Sequence, residues 1–135
     1  GDPECQVILP RLKNDLVNIF LKAISNNLNQ IKIGWIKEKS VTIVLCSKGY
    51  PGKYKKYKKI NNLEKINLSK NDYIYHAGTK FYKNQIVSNG GRVLSVTSIG
   101  KTYISIRKKI ILIMKKINWK HGFFRKDIGW RIINK

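Results

Sequence analysis

Several short stretches of this sequence carry side chains able to handle a charged substrate. Asp2 and Glu4 flank Pro3, and carboxylates at that spacing can hold an amine through charge-assisted hydrogen bonds. They can equally serve structure, with Asp2 capping a turn before Pro3 and Glu4 engaging a structural partner. Arg92 follows Gly90 and Gly91. A guanidinium grips a phosphate in bidentate fashion, and small neighbours leave backbone N–H groups free to approach the same anion. The competing reading is a glycine hairpin with an exposed arginine. Arg125, Lys126 and Asp127 form a compact charged group before Gly129-Trp130. It suits either a phosphate or a clasp that locks the tail onto the hairpin through an ion pair and a buried tryptophan. His76 ends a short apolar run, and His121 lies far along the chain. It is therefore read as a hydrogen-bonded structural residue beside a Gly78-Thr79 turn, and no catalytic acid or base is assigned. Cys5 and Cys46 are the only cysteines. Their spacing suggests neither a staple nor a metal knuckle, so both are expected to be reduced thiols.

The elements that must position these groups follow from periodicity. Leu12, Leu16, Ile19, Phe20, Ala23 and Ile24 recur at helical spacing behind Pro10 and predict a helix with one buried face. Ser40 to Ser47 reads as a mostly buried strand, broken by the Gly49-Tyr50-Pro51-Gly52 turn. Tyr73 to His76, Gln85 to Val87 and Arg92 to Thr97 have strand character. Asn89-Gly90-Gly91 between the last two predicts a hairpin. Thr102 is placed to cap a second helix, whose stripe is Tyr103, Ile106, Ile110, Ile113, Met114 and Ile117. The order predicts one α+β unit, a small antiparallel sheet with a hairpin packed by two amphipathic helices.

The 28 Lys and Arg against 7 Asp and Glu give a net charge of +21. A field of that size attracts polyanions, and Tyr50, Tyr54 and Tyr57 among lysines would suit stacking on single strands. The lysines are nevertheless spread along most of the chain and travel with abundant isoleucine and asparagine, as an AT-rich genome would produce. Nucleic acid is thus expected to bind only through bulk charge. The longest apolar run, Ile110 to Met114, is far too short to cross a bilayer, and with no hydrophobic leader in view a cytoplasmic, non-membrane protein is the expectation.

Five segments together resemble one family. Gly1-Asp2-Pro3-Glu4 with Gln6, Leu9 and Arg11-Leu12-Lys13, then Gly49-Tyr50-Pro51-Gly52, His76-Ala77-Gly78-Thr79, Asn89-Gly90-Gly91-Arg92-Val93-Leu94 and Arg125-Lys126-Asp127-Ile128-Gly129-Trp130-Arg131 stand in the order found in the glycinamide ribonucleotide synthetases. That resemblance implies the C-terminal part of an ATP-grasp ligase of purine biosynthesis. Residues 1–13 would close the ATP-grasp core and residues 14–135 would form a substrate-site domain. Such an enzyme phosphorylates glycine with ATP, and the amine of 5-phosphoribosylamine attacks the acyl phosphate. Mg2+ or Mn2+ bridges the ATP phosphates.

The family's metal ligands precede its Gly-Asp-Pro-Glu motif, so ATP and metal ligands are expected largely outside this chain, which would be incomplete as a catalyst alone. The substrate-binding residues carried over are Asp2, Pro3, Glu4, Gly90, Gly91, Arg92, Lys126 and Asp127, toward glycine and 5-phosphoribosylamine, with the remaining ligase domains as partners. The family usually has glycine where Tyr57 stands, and often near Asn62, so a different turn is expected across Lys53 to Asn62. A basic nucleic-acid-binding module, or a stand-alone interaction domain that has lost the reaction, are the rival readings.

Overall fold

The alternation Val41, Ile43, Leu45 against Ser40, Thr42, Val44, Cys46 makes Lys39–Ser47 a strand with two unlike faces, β1. In the computed structural model, which describes residues 1–133, this strand lies inside a four-stranded sheet. Asp72–His76 (β2) and Arg92–Gly100 (β5) are antiparallel neighbours, β5 also pairs antiparallel with β1, and Gly122–Phe123 (β6) closes the far edge. The spatial order is β2-β5-β1-β6. The α-helices are Glu4–Ile8 (α1), Leu16–Ile24 (α2), Tyr103–Ile117 (α3) and Trp130–Ile133 (α4), and Thr79–Tyr82 (β3) pairs with Gln85–Ser88 (β4) in a separate two-stranded sheet. The α+β class and the antiparallel sheet are as expected.

The core lies between one face of the sheet and α3. Ile106, Ile110, Ile113, Met114 and Ile117 recur on one side of the helix and are buried against Val41, Ile43, Leu45, Leu94 and Val96. Thr102 caps the helix by accepting from the Ser105 N–H at 3.2 Å. Asn118, at φ 47°, ends it in the left-handed conformation common at helix C-termini. Trp119 is buried just beyond it.

Asp72 is the one buried carboxylate among the described residues. It accepts from Ser98 Oγ at 2.7 Å, Ser69 Oγ at 2.7 Å and Ser69 N at 3.1 Å, and Lys109 Nζ of α3 stands 2.8 Å away. Burial alone would push its carboxyl up. The Lys109 ammonium and the serine donors outweigh that and hold it below the usual carboxylate range. A carboxyl lowered by folding contributes stability that is fully present above its unfolded value, about pH 3.9, and lost as pH falls through the folded value. Urea midpoints of the wild type should therefore drop more steeply below about pH 4 than those of Asp72→Asn. Parallel pH profiles would contradict the pairing.

Three sequence expectations are corrected. β4 does not form a hairpin with β5 through Asn89-Gly90-Gly91. It pairs with β3 through Lys83-Asn84, both at positive φ (47° and 56°), as a two-residue hairpin turn requires. The face predicted to be buried on α2 is covered only in part among the described residues: Leu12, Leu16 and Ile19 are half-buried while Phe20 and Ile24 are 56% and 80% exposed, although Asp15 caps the helix on Asn18 N. The segment around Tyr57 and Asn62 does not abandon a glycine-type turn. Both residues hold the left-handed conformation, φ 57° and 64°, that glycine would adopt freely. Tyr57 meets its steric cost, of order 1–3 kcal/mol, while packing its ring 5.5 Å from that of Tyr82.

Candidate substrate-site crossing

A bulge decides where Arg92 points. Leu45 faces Leu94, but the next residue of β1, Cys46, faces Arg92, so Val93 is the extra residue on β5. Strict alternation from Leu94 would place Arg92 on the face covered by α3; the bulge turns it to the opposite, open face with Cys46. α1 lies on that open face, where Thr97 Oγ1 donates to the Gln6 carbonyl at 3.1 Å and meets Thr42 Oγ1 at 2.6 Å.

There the two strongest sequence candidates come together across 90 residues of chain. Arg92 Nη1 donates to the Asp2 carbonyl at 2.8 Å, and Nε stands 3.3 Å from Asp2 Oδ2. Gln6 Nε2 donates to Asp2 Oδ1 at 2.8 Å. Both charged side chains are partly exposed, 44% and 32%, so the pair is worth about 0–1 kcal/mol in stability. Its importance is positional. Two of the five guanidinium N–H groups face Asp2, which leaves three for an incoming anion. The Asp2 carboxylate likewise keeps lone pairs for an ammonium. Pro3 sets the entrance to α1, and Glu4 is exposed in its first turn.

Two further motifs meet at the same crossing. Gly78 N donates to the Arg92 carbonyl at 2.9 Å, and Asn89 N donates to the Gly78 carbonyl at 2.8 Å. Ser47, fully buried, binds the Gly90 carbonyl through Oγ at 2.8 Å and the Gly91 carbonyl through N at 2.7 Å. The Tyr50 ring fills the space beside Gly91 that a side chain would need. The glycines thus serve close backbone approach rather than a hairpin turn. A Cβ on Gly78 would stand 2.5 Å from the Arg92 carbonyl oxygen and 2.7 Å from Gly90 Cα. Gly78→Ala is accordingly expected to cost about 1–3 kcal/mol, read as a lowered urea midpoint. An unchanged midpoint would show that the backbones at Gly78, Gly90 and Arg92 do not approach this closely.

His76 shares a 3.0 Å hydrogen bond between Nδ1 and Thr79 Oγ1, the structural role its sequence context implied. Cys5 and Cys46 are free thiols. Burial pushes the Cys46 thiol up, the neighbouring Arg92 charge pulls it partly back, and Asp2 adds to the rise. Cys46, Ser47, Tyr50 and Gln6 were not singled out as site residues from sequence. The Gly-Tyr-Pro-Gly turn was the available signal for Tyr50, and nothing local marked Ser47.

Lys126 and Asp127 lie elsewhere. Asp127 pairs with Arg125 at 2.5 Å, both exposed, and that hydrogen bond holds the Asp127 carboxyl below its usual range. The Lys126 carbonyl accepts from Arg107 of α3. Trp130, which the clasp reading of this group would bury, is 60% exposed; Trp119 takes the core position. No hydrogen bond or ion pair among the described residues joins this group to Asp2 or Arg92.

Residues 40–131 match the family model described as phosphoribosylglycinamide synthetase, C domain. The chain is 41% identical over 135 residues to the chloroplastic phosphoribosylamine–glycine ligase of Arabidopsis thaliana and 37% identical to the phosphoribosylamine–glycine ligase of Brucella melitensis. The matches cover 98% and 100% of this chain but 25% and 32% of those proteins. The crystal structure of phosphoribosylamine–glycine ligase from Thermotoga maritima superposes with a TM-score of 0.69 at 28% identity, covering 94% of this chain and 30% of that one. The chain thus spans a quarter to a third of the length of the curated relatives it matches. With that match over most of its length, the chain belongs to the phosphoribosylglycinamide synthetase C-domain family.

Proposed function

We propose that this chain is the C-terminal domain of a phosphoribosylamine–glycine ligase and that the Asp2–Arg92 crossing binds the phosphoribosylamine substrate. The observation that carries the reading is the convergence of four motif segments on Arg92, whose guanidinium keeps three N–H donors beyond those that face Asp2. In this reading Arg92 grips the ribose phosphate, and the backbone around Gly90 and Gly91 leaves room for it to approach. Asp2, with Glu4 beyond Pro3, orients an amine, either that of glycine or that of the ribosylamine. Lys126 and Asp127 take the role of an outer contact, reached only when substrate or the rest of the protein spans the distance. ATP supplies the activation of the glycine carboxylate.

The metal that family chemistry calls for does not fit here. No group of three His, Cys, Asp or Glu among the described residues could hold one, and the Asp2 carboxylate is already engaged by Arg92 and Gln6. We place ATP and Mg2+ or Mn2+ on other parts of the protein, with residues 1–13 closing that core and residues 14–135 forming the substrate-site domain. The last two residues of that span, 134 and 135, lie outside the described residues. The uncovered α2 stripe of Phe20, Leu21 and Ile24 is the surface those other domains would cover. No helix among the described residues is long and apolar enough to cross a membrane, and we place the enzyme in the cytoplasm. The nucleic-acid-module reading finds no support in the comparisons. The three tyrosines also do not share a platform, since Tyr50 and Tyr54 meet each other while Tyr57 packs on Tyr82.

The test is an assay of the full-length protein for glycinamide ribonucleotide formation from 5-phosphoribosylamine, glycine and ATP. Stoichiometric ADP with product supports the reading; ADP-free mixtures and no product at saturating substrates overturn it.

A further inference from the structure

The basic charge is spread over the surface, but it gathers at one place that the substrate site does not use. A concave pocket of about 390 Å³ is lined by Lys48, Lys53, Tyr54, Lys55, Lys58 and His121. Its size falls within the roughly 300–1,000 Å³ range of small-molecule sites. Four lysines and a histidine line this space, with no carboxylate among the lining residues. Two other basic cavities include an acidic side chain, Glu64 in one and Asp127 in the other. Among the described residues none of the four lysines has an ion-pair partner.

The frame of the pocket is held before any ligand arrives. Lys48 N donates to the His121 carbonyl at 2.9 Å, which joins the end of β1 to the residue before β6. The opposite wall is strapped to β4. Tyr57 N donates to the Ser88 carbonyl at 2.6 Å, Ser88 N donates to the Lys58 carbonyl at 2.9 Å, and Lys58 N donates to Ser88 Oγ at 3.2 Å. Tyr54 is fixed by an edge contact with Tyr50, ring centres 6.3 Å apart. Like charges gathered on a fixed frame repel one another, and an anion that neutralises several at once relieves that repulsion. A concave wall also focuses the field toward the cavity.

We propose that this pocket is a binding site for a compact polyanion carrying two or more linked phosphoryl groups, distinct from the Arg92 crossing. Several phosphoryl charges match four ammonium groups where a single carboxylate would not. The flat Tyr54 ring offers one stacking wall, so the phosphoryl chain can come from an inorganic polyphosphate or from a nucleoside polyphosphate. A single-stranded nucleic acid instead needs an extended groove tracking successive nucleotides. The inference is independent of the ligase reading.

The test titrates the full chain with sodium tripolyphosphate, ATP and a single-stranded oligonucleotide by calorimetry at near-physiological salt. Two variants remove the same charge, Lys48→Gln/Lys53→Gln/Lys55→Gln/Lys58→Gln in the pocket and Lys101→Gln/Lys108→Gln/Lys115→Gln/Lys116→Gln on and beside α3. Saturable one-to-one tripolyphosphate binding is expected, weakened at least about tenfold, the worth of one charge-assisted contact, in the first variant and less than about twofold in the second. Tighter binding of ATP that is lost in Tyr54→Leu assigns the nucleotide as source, and equal binding of both ligands assigns the inorganic chain; either supports the site. Equal weakening in the two variants, no saturable binding, or preference for the oligonucleotide over both phosphates overturns it.

Discussion

In the full-length protein, Arg92→Ala is expected to raise the KM for 5-phosphoribosylamine about tenfold to a hundredfold while the KM for glycine stays within about twofold. Charge-assisted hydrogen bonds to an anion are worth about 1.5–3 kcal/mol, and about 1.4 kcal/mol is a factor of ten. The variant removes the cation that pairs with Asp2 at the crossing and leaves that carboxylate without its charged partner. Arg92→Lys keeps the charge but loses the planar fork, so it should recover only part of the loss. A rise in the glycine KM of the same size would mean that the arginine serves general architecture or the amino acid instead. Because the Asp2–Arg92 pair is half exposed, the unfolding midpoint should move little. A large drop in that midpoint would assign the residue to structure.

The second large effect is on stability. Ile110 is fully buried on α3 between Ile106 and Met114, facing the sheet. Ile110→Ala should cost about 2–5 kcal/mol, because the removed methylenes leave a cavity that a sheet and a helix cannot close by relaxing. Ile104→Ala, on the outer side of the same helix at 48% exposure, should stay within about 0.5 kcal/mol. Urea unfolding of the two variants under identical conditions checks this. Similar midpoints would mean that α3 does not pack on β1 and β5 as described.

What the sequence revealed, and what it hid, follows from the range of the signals. α3 was legible because its stripe, its Thr102 cap and its end near Asn118 are all written within one segment. β1 was legible for the same reason, its alternation matching one covered and one open face. The β4–β5 hairpin was misread because Gly90 and Gly91 are also what a close backbone crossing needs, and that crossing involves Gly78, a dozen residues earlier. The true hairpin turn at Lys83-Asn84 lacks glycine and so gave a weaker signal. α2 has the pattern of a buried helix, but much of its stripe stays exposed among the described residues.

The site was legible in part. Asp2, Pro3, Glu4, Gly90, Gly91 and Arg92 were named from residue chemistry and family resemblance, and Asp2 and Arg92 do meet. Their meeting depends on a bulge at Val93 that no local pattern announces. Ser47 and Gln6 are ordinary polar residues whose roles appear only when the strands are paired. Lys126 and Asp127 have the right chemistry, yet the chain after β6 ties them to α3 and to each other's neighbour rather than to Arg92.

The central claim is that Arg92 holds the phosphate of the ribosyl substrate. A crystal structure of the full-length protein with glycinamide ribonucleotide bound tests it most directly. The expected result is phosphate oxygens about 2.7–3.2 Å from the Arg92 guanidinium nitrogens, with the Gly90-Gly91 backbone alongside. A phosphate held by other residues, with Arg92 still closed only on Asp2, would contradict it.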